Sequence, residues 1–106
     1  MTLKDFSELL NTLDYDVAQD EFPLEYDAQC PYIVFEVTGT DNFKADSKVY
    51  KKILQIDVSI YSKGHADAEA MESLEELFDN NDIPWDFVGN YDHKGYDYEV
   101  VYSVTI

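Results

Sequence analysis

The sequence predicts an α+β fold: an antiparallel or mixed sheet of four to five strands with two helices packed on one face, in the order α-(β)-β-β-α-β-β. Three observations predict it. Two segments carry apolar residues at helical spacing, three others alternate apolar with polar residues, and clusters of Gly, Pro, Asp and Asn separate them.

In chain order, Leu3, Phe6, Leu9, Leu10 and Leu13 share one helical stripe and Thr2 can cap the first turn, so a helix is expected over residues 3–13. Residues 14–31 are polar and broken by Pro23 and Pro31, with Val17 and Ala18 offering a short edge strand. Residues 32–38 are β-branched and aromatic, with Ile33, Phe35 and Val37 on one face of a strand. Turn chemistry at both ends of residues 39–47 predicts a loop longer than a tight hairpin, joining antiparallel strands. From 49 to 62 the even positions Tyr50, Leu54, Ile56, Val58 and Ile60 are apolar, while Gln55, Asp57 and Ser59 are polar, which is a long strand with one wet face. The period then becomes helical: Ala68, Met71, Leu74, Leu77 and Phe78 form the apolar stripe of a second helix over 66–80. Residues 85–91 are expected as a strand, and residues 92–95 as the turn into a final strand over 96–106, where Tyr98, Val100, Tyr102, Val104 and Ile106 alternate with polar residues.

At 106 residues one core, and hence a single domain over 1–106, is expected. The hydrophobic fraction of 45% argues for a folded chain. Seven Lys+Arg, all of them lysine, stand against 23 Asp+Glu for a net charge of -16. Such a surface repels phosphate backbones and anionic headgroups, so neither nucleic-acid binding nor membrane attachment is expected. Cys30 is the single cysteine and has no partner for an internal disulfide. Neither a leader-like apolar run near Met1 nor a run of membrane-spanning length is present in the sequence, which points to synthesis and retention in a cytoplasm.

Catalysis finds little purchase. His65 and His93 both fall in polar turns, and Cys30 beside Pro31 reads as a half-buried structural thiol rather than a nucleophile. One cysteine and two separated histidines cannot supply a structural zinc site. Asp79-Asn80-Asn81-Asp82 has the oxygen density of a calcium loop, but Pro84 stands where that loop needs glycine and Asn90 where it needs glutamate, so it reads as a helix end. The four glycines are scattered and build no phosphate cradle. No enzyme activity, cofactor or metal is expected.

Two distributions carry more information. Lys44, Lys48, Lys51 and Lys52 place four of the seven lysines within nine residues. They form either a solvated edge that discourages aggregation or a basic patch that meets the acidic face of a neighbouring copy. Phe43 lies among them and is either an apolar anchor for that contact or a residue tucked against its own domain. Asp41, Asn42, Phe43, Lys44, Asp46, Lys48, Tyr50, Lys51 and Lys52 are therefore the candidate subunit contact. The nine tyrosines, several of them in the last strand and its approach, suit the core and rim of a sheet and also protein interfaces.

In its opening helix, in Pro31-Tyr32-Ile33-Val34-Phe35, in the block from Asp41 through Tyr50, and in Ile56-Asp57-Val58-Ser59-Ile60-Tyr61-Ser62 before an acidic helix, the chain resembles tail terminators and head-tail joining proteins of phages and prophages of Gram-positive bacteria. The resemblance covers nearly the whole chain and is one of pattern and order, since none of these motifs is diagnostic by itself. It implies a virion structural subunit that forms a hexameric ring on the tail tube. The implied partners are further copies of itself, the tail tube protein and the head connector, first in the host cytoplasm and then in the virion. Acidic residues lining such a ring would keep transiting DNA from sticking. The competing expectation is an acidic DNA-mimic inhibitor of a DNA-binding enzyme, whose phosphate-like row of carboxylates the lysine cluster would interrupt.

Overall fold

A computed structural model describes the backbone of residues 1–45, 48–94 and 97–106, and the side chains of 1–40, 53–94 and 97–106. The fold is α+β, as the sequence predicts, with two helices and a five-stranded sheet. Helix α1 (Leu3–Leu10) opens with a capping box in which the Thr2 hydroxyl accepts from the Asp5 amide and the Asp5 carboxylate accepts from the Thr2 amide. It is followed by β1 (Asp16–Gln19), β2 (Tyr32–Ala45), β3 (Lys48–Ser62), α2 (Ala68–Asn80), β4 (Trp85–Asp92) and β5 (Tyr98–Thr105).

The strand order is β1-β2-β3-β5-β4, with β1 parallel to β2 and every other pair antiparallel. Register builds the core directly. Phe35 faces Val58, which faces Tyr102, and Ile33, Ile60 and Val100 form the next row. All six are buried, and Phe6 and Leu10 of α1 with Ala70, Leu74 and Phe78 of α2 cover them. Phe6 joins the layers, edge-on to Phe35 at 5.7 Å and stacked with Phe78 at 6.1 Å.

Three details depart from the sequence reading. Helix α1 stops three residues early: the Asn11 side chain and the Thr12 hydroxyl donate to the carbonyls of Ser7 and Leu9, competing with continued helix, while Leu13 still packs on the core. Helix α2 begins at Ala68 because the Asp67 carboxylate accepts from the Ala70 amide at 3.0 Å, and its most buried stripe is Ala70, Leu74 and Phe78. Asp67→Ala is expected to cost about 1 kcal/mol in a urea titration, and an unchanged midpoint would show that the cap is idle. Third, the expected loop at 39–47 is strand over residues 39–45: β2 and β3 stay paired from Tyr32↔Tyr61 out to Ala45↔Lys48. Pairing satisfies the backbone of Thr40, Asp41 and Asn42 despite their turn chemistry, and a register shift between Val37 and Gly39 absorbs the irregularity. That shift also ends the buried row, leaving Val37 exposed.

Candidate functional site

The expected contact residues lie on the outer part of the β2–β3 pair. Asp41, Asn42, Phe43 and Lys44 end β2, and Lys48, Tyr50, Lys51 and Lys52 begin β3, with Asn42 opposite Lys52 and Phe43 opposite Lys51. Asp46 lies outside the described residues, as do the side chains of the other eight. The backbone shows what they share. Strand β5 pairs with β3 only from Gln55 onward, joined by an Ile106–Leu54 bridge, and β1 pairs with β2 only as far as Phe35. Beyond those points β2 and β3 form a two-stranded ribbon that runs about 20 Å past the other strands, at roughly 3.3 Å per residue. A two-stranded ribbon in isolation is only marginally stable in water.

A second feature lies at the opposite end of the same two strands, on the sheet face away from the helices. Register aligns Tyr32, Tyr61, Glu99 and Tyr91 in one row across β2, β3, β5 and β4. Tyr32 and Tyr61 stack at 5.1 Å. The segment from Asp20 to Pro31, which crosses from β1 to β2, brings Phe22 edge-on to Tyr32 at 5.6 Å and stacks Tyr26 on Phe22 at 5.2 Å. Asp16 holds this segment by accepting from the Tyr26 hydroxyl at 2.9 Å and from the Gln29 amide at 3.1 Å. The aromatic rings thus form a continuous wall.

The wall borders an open cleft of about 580 Å³ that also takes in Leu24, Cys30, Asp97 and Lys63. Leu24 stands free at its edge and Tyr26 is half exposed. Each phenol is fixed by a carboxylate. Tyr32 donates to Asp97 at 2.8 Å and Tyr61 to Glu99 at 3.0 Å, and Glu99 also meets the His93 ring nitrogen at 2.8 Å. Burial and the neighbouring carboxylate push Tyr32 well above a free tyrosine and Tyr61 up to about 12, so both rings stay neutral at physiological pH. Burial alone would raise Glu99, but the hydrogen bonds it accepts from His93, Ser59 and Tyr61 outweigh that and hold it ionised below its ordinary value. Burial and the Asp97 charge push the Cys30 thiol up, favouring its protonated form.

Among the described residues, Asp20, Glu21, Asp27 and Asp97 line the cleft against one cation, Lys63. Neutral π-faces beside carboxylates suit cationic side chains. Among the described residues no cluster of three His, Cys, Asp or Glu side chains is placed to hold a metal ion, and no helix is long and apolar enough to cross a membrane. Sequence reading missed this cleft. Its one legible trace is parity, since Tyr32 and Tyr61 both occupy the solvent-facing positions of otherwise alternating strands. Phe22, Leu24 and Tyr26 lie in a Pro-broken segment with no period to place them.

Compared with known proteins, the chain matches no family model and no curated protein sequence.

Proposed function

We propose that this protein is a phage virion structural subunit, a tail terminator or head-tail joining protein that acts by docking to copies of itself, to the tail tube and to the head connector. The observation that carries the reading is the projecting β2–β3 ribbon, a backbone arm that leaves its own sheet and has no third strand beside it among the described residues. Such an arm is suited to reach a neighbouring subunit. The elongated body, 51 × 29 × 24 Å, supports contacts at two well-separated poles. The charge of -16 supports a DNA-passing role, because a ring of such subunits repels the phosphates that move through it.

The test is genetic and visual. Silencing this gene in the phage or prophage that encodes it is expected to yield DNA-filled heads and unjoined tails by negative-stain electron microscopy, with infectious titre restored by a plasmid copy. Intact virions at normal titre would sink the reading.

A further inference from the structure

The ribbon and the aromatic cleft lie at opposite ends of one strand pair, and their charges are opposite. Residues 41–52 hold four lysines against two aspartates, so the remainder of the chain is more acidic than the net charge of -16 conveys. Among the described residues, the cleft is bordered by four carboxylates and a single lysine. Along β2 the ribbon's end at Ala45 is thirteen residues from Tyr32. At about 3.3 Å per residue that is roughly 40 Å of paired backbone, so a chain cannot place its own ribbon in its own cleft.

We infer that the cleft walled by Phe22, Tyr26, Tyr32 and Tyr61 receives the lysine-bearing β2–β3 ribbon of a second copy. A lysine ammonium suits the faces of neutral tyrosines and the carboxylates of Asp27 and Asp97 that the cleft presents, and exposed Leu24 adds apolar surface at its edge. The two surfaces are different patches of one molecule, so the contact is head-to-tail. Repetition closes into a ring when the rotation between copies allows it. The inference rests on the assembly reading above and specifies the contact by which copies join.

Cys30 lies in the cleft and is the chain's only cysteine, which gives a direct test on the full-length protein. Lys48→Cys treated with a short bismaleimide is expected to give a ladder of linked species on a denaturing gel. Wild type and Lys48→Cys with Cys30→Ser each carry one thiol and should not give even a linked dimer. Leu24→Cys in the Cys30→Ser, Lys48→Cys background places a fully exposed thiol at the cleft edge and should restore the ladder. Raising the salt toward 1 M, where the screening length is about 3 Å, should weaken the ladder several-fold. Absence of a ladder in both cleft-thiol variants, or linked dimers from the Cys30→Ser, Lys48→Cys protein in comparable yield, overturns the inference.

Light scattering on the wild type separates the two ideas. Oligomers that form without a cleft-to-ribbon link overturn this contact and leave the assembly role standing. A specific ladder, combined with phage that keep joining heads to tails when Lys51 and Lys52 are reversed to glutamate, supports the contact and removes its role in joining.

Discussion

Phe6→Ala is expected to lower unfolding free energy by about 3–5 kcal/mol, the usual loss for a fully buried aromatic ring. The size follows from its place. Phe6 has no solvent exposure and its ring pairs both with the sheet, through Phe35, and with the other helix, through Phe78. Deleting it opens a void bounded by rigid neighbours, since Ile33, Leu74 and Phe78 are also buried and already packed. A domain of this size commonly has about 5–15 kcal/mol in hand, so the variant should stay folded in the cold and melt far below wild type. Urea unfolding followed by circular dichroism reads the difference. A loss under about 1 kcal/mol would mean that α1 is not an integral part of the core.

The second large effect is on alkaline stability. Burial and a carboxylate partner raise Tyr32 and Tyr102 well above the free value of 10.0 and Tyr61 to about 12. Tyr102 is wholly buried, yet its hydroxyl reaches out to donate to Glu75 of α2 at 2.5 Å. The sign follows from linkage. These groups are neutral when folded and ionise near pH 10 when unfolded, so the stabilisation is complete below pH 10 and is lost as pH rises through the folded values. Near pH 11 unfolding should release roughly two to three protons from these side chains, and the melting temperature should fall steeply from pH 10 upward. Tyr32→Phe with Tyr61→Phe should flatten the slope, because phenylalanine keeps the ring and has nothing to ionise. A melting temperature constant from about pH 9 to 11 would contradict the arrangement of phenols and carboxylates described above.

These expectations differ in how far each could be read from sequence. The core could be. Phe6 and Leu10 fall on the helical stripe of residues 3–13, and Ile56, Val58 and Ile60 with Val100, Tyr102 and Val104 are the alternating apolar positions of the two predicted central strands. Even the edge strand at Val17 and Ala18 appears, as β1, parallel to β2. Of the candidate contact residues, Asp41 to Lys44 were expected in a loop and their backbone is strand, whereas Tyr50, Lys51 and Lys52 lie in the long strand expected there. Local chemistry misled there because Asp, Asn and Gly favour turns by their own hydrogen bonds and backbone freedom. A long antiparallel partner can override those preferences.

The kind of each element and most of its buried positions are legible locally, since periods of two and of 3.6 are written into neighbouring residues. Which surfaces meet depends on the packed fold. Strand order sets where β5 stops along β3, and that leaves the ribbon without a third strand among the described residues. The path of residues 20–31 across the open face brings Phe22 and Tyr26 to Tyr32 and Tyr61, from parts of the chain with no common period. Burial is a property of local pattern, whereas a cleft is made by residues distant in sequence, and their meeting depends on pairing and crossover geometry that no short stretch of sequence contains.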